Sequence, residues 1–183
     1  MGLAVEATGG FAGNPLGVLM GGFFGGLLGV HALALPLAYD DLRAAGSGLG
    51  CGAIAVLGER DCPVGVAADV MAYFARENAQ QCGACINGTQ AMRDVLFELV
   101  HGHASSEQVE RLRTWSLTLR GRGACATLDA AAGLAASLLR EFPDEVDAHR
   151  AAGCADCATI DIGALVKATR FTLGNVNGEV AKA

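Results

Sequence analysis

Aromatic side chains are scarce in this sequence: one Trp, two Tyr and seven Phe, 5% of 183 residues. So few rings cannot build a surface on which bases stack. Positive charge is short too, with 13 Lys and Arg against 19 Asp and Glu and a formal net charge of −6 at pH 7. No basic stripe is left to neutralise phosphates, so nucleic acid is not an expected partner. A cationic segment running into an apolar one, the mark of a secretory signal, is also missing, and a reducing cytoplasm is the expected setting.

What is present is apolar mass and cysteine. Apolar residues make up 52% of the sequence, enough for a real core at this length. Seven cysteines, clustered and odd in number, favour metal binding over disulfides in such a compartment. Leu16 to Ala38 holds no ionisable group but His31 and is long enough to span a bilayer. Its six glycines from Gly17 to Gly29, and Pro36, suit turns and close backbone approach better than a stable helix. No membrane span is expected. A short strand, Val18-Leu19-Met20, is expected to run into a glycine turn and an irregular apolar connection, with Phe23, Phe24, Leu27 and Leu28 in the core.

A second strand is predicted over Ala53-Ile54-Ala55-Val56-Leu57, before the turn at Gly58-Glu59-Arg60-Asp61. Gly48-Leu49-Gly50-Cys51-Gly52-Ala53 formally fits the dinucleotide pattern, but it leads into a strand instead of following one. From Val64 onward helical periodicity takes over. One helix is predicted from Val66 to Asn78 with Val70, Met71 and Phe74 inward, and another from Gly88 to His101 with Met92, Val95, Leu96 and Leu99 inward. Ser105 and Gln108 make a capping box for a third, carrying Val109 and Leu112. The fourth runs from Thr127 to His149 on Leu134, Leu138, Leu139 and Phe142, with Pro143 as a bend. The fold class is therefore α+β: a small mixed part over residues 1–63, an antiparallel four-helix bundle over 64–150, and a tail over 151–183 with a C-x-x-C pair.

Cys82 and Cys85 form a C-x-x-C turn where a helix should begin, and Cys125 follows in Gly121-Arg122-Gly123-Ala124-Cys125. The pair falls in the loop between the first two helices and Cys125 in the loop between the last two. An up-down bundle puts both loops at one end, so three thiolates converge there, with helix N-termini to lower their pKa values and donate N–H groups. That grouping reads as an iron–sulfur site. A structural zinc module built from the Cys82/Cys85 and Cys154/Cys157 pairs is a second reading, although roughly seventy residues lie between them. A thiol–disulfide enzyme at Cys82-Gly83-Ala84-Cys85 lacks the βαβ context it needs. Cys51 and Cys62 read as small packing residues. His31, His101, His103 and His149 show no metal spacing with the cysteines and read as surface or loop histidines.

The order of these features resembles a known family. Gly46-Ser47-Gly48-Leu49-Gly50, a strand, Asp61-Cys62-Pro63-Val64, a helix to Glu77, the Cys82/Cys85 pair and Gly121-Arg122-Gly123-Ala124-Cys125 together look like the C-terminal half of the NADH-binding flavoprotein subunit of respiratory complex I. That half is shared with NAD-linked hydrogenases and formate dehydrogenases. The resemblance covers roughly residues 8–149 and implies a ubiquitin-like, soluble-ligand-binding β-grasp (SLBB) part followed by a helical part that binds a 4Fe-4S cluster. The family's ligand pattern is C-x-x-C-x-x-C with a fourth Cys from the later loop. Carried over, the second and third ligands are Cys82 and Cys85, the fourth is Cys125, and the first position holds Ala79.

One ligand thus departs from the pattern. The readings left open are a cluster with a water or other non-cysteine ligand, a 3Fe-4S cluster, a thiolate from Cys154 or Cys157, or a cluster-free protein-interaction domain. The family's FMN and NADH sites lie in its N-terminal half, so neither is expected in this sequence. The resemblance implies a non-catalytic electron-transfer component that works with a separate flavoprotein or another redox subunit. Its expected place is cytoplasmic, or peripheral to a membrane complex.

Overall fold

The structure, a computed structural model, describes residues 1–7, 9–11, 13–154 and 157. The part of the expected tail over 158–183 lies outside the described residues, as do Ala155 and Asp156. The fold is α+β. In chain order it comprises helix α1 (Gly2–Ala7), strands β1 (Gly17–Met20) and β2 (Gly26–Gly29), a 3-10 turn (Val30–Ala34), α2 (Tyr39–Ala44), β3 (Ile54–Leu57), and helices α3 (Pro63–Glu77), α4 (Gly83–Val100), α5 (Ser106–Thr118), α6 (Thr127–Glu141) and α7 (Pro143–Ala152).

The three strands form one antiparallel sheet in the order β2-β1-β3, with Leu19 opposite both Leu27 and Ala55. Alternation along each strand splits the sheet into two buried faces. Leu19, Leu27, Ala55 and Leu57 join the main core with α3 to α7, whereas Val18, Met20 and Leu28 pack with Met1, Ala32 and Leu42 under the N-terminal elements. One core thus continues from the sheet into the helices.

β2 is an edge strand, and α6 covers its outer edge. The Leu27 N–H donates to Ser137 Oγ at 2.9 Å and the Gly29 N–H to Glu141 Oε2 at 3.1 Å, so backbone donors a ladder would have used find side-chain acceptors. This closeness requires glycine at position 26, where φ is +69° and a Cβ would stand 2.6 Å from Ser137 Oγ. The connection expected to be irregular is therefore a strand, held by tertiary contacts its four residues could not supply alone. Of the expected core residues there, Leu27 and Leu28 are fully buried, Phe23 is half-buried, and Phe24 is 52% exposed. Among the described residues no helix is long and apolar enough to cross a membrane.

α3 packs along α4, and both lie against α6 and α7; α5 packs on α4 and α6. The expected four-helix bundle becomes five helices, because Pro143 does more than bend the last one. Phe142 leaves helical geometry (φ −133°, ψ 49°) and Pro143 opens α7 at its first position. The capping box on α5 forms: the Gln108 N–H donates to Ser105 Oγ at 3.2 Å, and the Ser105 N–H to Gln108 Oε1 at 2.7 Å. α4 begins at Gly83, five residues earlier than the apolar stripe suggests, which moves Cys85 from the loop into the first helical turn.

Candidate metal centres

The chain between α3 and α4 is pinned before its first cysteine. Asn78 is buried and donates from Nδ2 to the Ala75 carbonyl at 2.8 Å, while its Oδ1 accepts from the Gln80 N–H at 3.0 Å. Gln80 takes a left-handed turn (φ 52°), the only non-glycine to do so among the described residues. Cys82 then stands at the position before α4, without a capping hydrogen bond, and Cys85 sits buried in the first turn.

The second loop is held by equally local contacts. The Gly121 N–H donates to Asp129 Oδ1 at 2.7 Å, which fixes the turn leaving α5. The Ala124 N–H donates to Cys82 Sγ at 3.4 Å, joining the two loops directly. Cys125 is exposed, with its Sγ 3.4 Å from Thr127 Oγ1 at the start of α6.

Between the loops lies a cavity of about 200 Å3, bordered by Cys82, Cys85 and Cys125 and by Ala79. A single water needs only about 10–15 Å3 on this measure, so the space suits a multi-atom group. Among the described residues no Asp, Glu, Lys or Arg borders it. Charge on a bound group would instead meet the N-termini of α4 and α6, whose free N–H groups and dipoles favour anions. The thiols sense their surroundings and one another. Burial pushes the Cys85 thiol up, with the neighbouring Cys125 and Cys82 adding to the shift. The hydroxyl and amide of Thr127 hold the Cys125 thiol below its usual range.

A second grouping lies where α3 begins and α7 ends. Cys62 caps α3, with the Gly65 N–H donating to its Sγ at 3.5 Å. Cys62 Sγ, His149 Nε2 and Cys157 Sγ stand 3.1 Å from one another. Cys154 completes the set, all four donor atoms lying within 4.8 Å of one another. His149 Nδ1 is 2.6 Å from the Glu145 carbonyl, so it carries the proton and leaves the Nε2 lone pair facing the sulfurs. The hydrogen bond from Cys157, aided by the Gly65 N–H, brings the Cys62 thiol down to about 6 despite its burial. The same bond and burial push Cys157 up.

The structure therefore brings Cys82, Cys85 and Cys125 together and places Ala79 beside them. It gathers Cys154 and Cys157 on Cys62, at the other end of α3, whose 15 residues span roughly 22 Å. His149, read from sequence as a surface or loop residue, is 2% exposed. Its signal was the spacing His149-x4-Cys154-x2-Cys157, overlooked because the fourth partner stands 87 residues upstream.

Residues 65–149 match the family described as the NADH-ubiquinone oxidoreductase-F iron-sulfur binding region. The F-subunit of NADH-quinone oxidoreductase of Rickettsia typhi is 32% identical over 134 residues, 73% of this chain and 32% of that protein. Its counterpart in Rickettsia rickettsii is 32% identical over 136 residues, 74% of this chain and 32% of its own length. The chain thus spans about a third of the curated relatives it matches. Among solved structures, a chain of NAD+-reducing [NiFe]-hydrogenase in the H2-reduced state superposes with a TM-score of 0.72 at 25% identity, covering 81% of this chain and 25% of that one.

Proposed function

We propose, for a chain whose residues 65–149 form an iron–sulfur binding region of the NADH-quinone oxidoreductase F-subunit type, that Cys82, Cys85 and Cys125 hold its 4Fe-4S cluster and that the protein is an electron-transfer module. The observation that carries this reading is the convergence of three thiols from two tied loops on one 200 Å3 cavity. The donor set fits the group: three soft thiolates, no competing charged side chain at the cavity wall among the described residues, and two helix N-termini. Ala79 supplies a methyl where the family pattern has a cysteine, so Cys82, Cys85 and Cys125 would hold the cluster and the fourth ligand would come from solvent or a small molecule. When bound, the cluster supplies one-electron redox chemistry. The chain's own part is to fix the three sulfurs, border them with apolar and amide groups, and keep Cys125 at the surface.

On this reading residues 1–63 are a β-grasp-like part of the SLBB kind, 64–150 the cluster-binding helical bundle, and 151–183 a tail. Electrons pass between a separate flavoprotein or another redox subunit and an acceptor, in the cytoplasm or on the periphery of a membrane complex. The curated relatives are subunits of NADH-quinone oxidoreductases, which supports partners of that type. Anaerobically purified protein is expected to contain stoichiometric iron and acid-labile sulfide, with an EPR signal that is lost in Cys82→Ser and Cys125→Ser. Protein that takes up neither iron nor sulfide after anaerobic reconstitution overturns the reading and leaves a cluster-free interaction domain.

A further inference from the structure

We propose that Cys62, His149, Cys154 and Cys157 form a second metal site, a Cys3His site for a single zinc ion, separate from the cavity of Cys82, Cys85 and Cys125. Three of its four residues, Cys62, Cys154 and Cys157, fall outside residues 65–149, and His149 is the last residue within them. The site is thus not a displaced version of the cluster site.

Compactness selects the ion. Four donors within 4.8 Å suit ligands on one centre: tetrahedral zinc, with Zn–S of ~2.3 Å, separates its sulfurs by ~3.8 Å. A cubane places its cysteines on four different irons and holds them much further apart. The present contacts of 3.1 Å need only a small outward shift to admit an ion, and they are too long for a disulfide, whose S–S bond is ~2.05 Å. Three sulfurs and one imidazole are also a common structural zinc set, whereas hard cations prefer oxygen.

The surroundings fit a structural ion. His149 is 2% exposed, Cys62 7% and Cys157 8%, with Cys154 half-buried, and four protein donors fill the tetrahedral set of a structural ion. The Glu145 carbonyl behind Nδ1 orients the imidazole as outer-shell partners of metal-bound histidines do. The fold also works to deliver Cys154. Gly102 and Gly153 (φ +72° and +66°) meet back to back, and a Cβ on Gly102 would stand 2.6 Å from the Gly153 nitrogen. This contact brings the turn after α4 against the end of α7 and sets the direction in which Gly153 leads into Cys154.

The full chain carrying Cys82→Ser, Cys85→Ser and Cys125→Ser tests the site without the cluster. It is expected to purify with one zinc ion per chain, to lose that ion when Cys154→Ser or His149→Gln is added, and, after chelation, to bind Co2+ with thiolate charge-transfer and tetrahedral d–d absorption. Cobalt binding without thiolate bands, or zinc that follows Cys82, Cys85 and Cys125 instead, overturns the proposal. If the added substitutions prevent folding, the cobalt spectrum of the triple variant alone decides. In the otherwise wild-type chain, Cys154→Ser is expected to leave iron and sulfide content unchanged, so failure here is separate from failure of the electron-transfer reading.

Discussion

The two thiol groupings of this molecule use similar atoms for opposite geometries. Beside the α3–α4 and α5–α6 turns, three sulfurs and a methyl border a 200 Å3 space, and one of the sulfurs is exposed. At the start of α3 and the end of α7, four donors lie within 4.8 Å with three of the residues under 10% exposed. An inorganic cluster brings its own bulk and exchanges electrons best near a surface. A structural ion needs neither, and it gains from dry, tight closure. What distinguishes such sites is the volume enclosed between the sulfurs, not their number.

The strongest way to break the comparison is to open the compact site. His149→Ala removes a buried donor and leaves the thiols of Cys62 and Cys157 without it; a loss of at least about 3 kcal/mol is expected, roughly 6–12 °C in Tm. Thermal unfolding of the variant against the wild type measures it, and a shift under about 2 °C would show that the grouping does not hold the helices together.

A change in the opposite direction sharpens the open site. Ala79→Cys restores a fourth sulfur to the cavity wall and is expected to slow loss of the cluster in air several-fold, followed as bleaching of the visible absorption. An unchanged rate would mean that position 79 does not face an iron.

Thiol reactivity gives a smaller contrast. In metal-free protein the thiolate is the nucleophile, so a lowered pKa brings reactivity in at lower pH. Of the two cavity thiols with opposite shifts, iodoacetamide is expected to label Cys125 at lower pH than Cys85, because Thr127 holds the first thiol down while burial pushes the second up. Peptide mass spectrometry across a pH series reads the order. The smallest effect is expected from Thr127→Val, which should move Cys125 labelling to higher pH while stability changes by only about 0.5 kcal/mol.

Features with a local cause were legible in the sequence. Ser105 and Gln108 announced their cap, the strands at Val18–Met20 and Ile54–Leu57 announced themselves by apolar runs between turns, and Cys82, Cys85 and Cys125 stood out by spacing. Features set by tertiary contact were not. Gly26–Gly29 is a strand because β1 pairs with it and Ser137 and Glu141 cap its edge. The early start of α4 was hidden because its apolar stripe begins only at Met92, beyond two glycines and Cys85. Cys62 and His149 meet because α3 packs on α7, and no spacing rule spans 87 residues.

The covering of β2 has a further consequence for assembly. A bare sheet edge invites a strand from another molecule, whether a docking peptide, an exchanged segment or the start of an aggregate. Here the Leu27 and Gly29 donors are already taken by α6, and Gly26 leaves the helix too close for an incoming backbone to slip between. A partner that approaches from this side must therefore read side chains on the outer surface of α6, and it cannot gain a hold by extending the sheet.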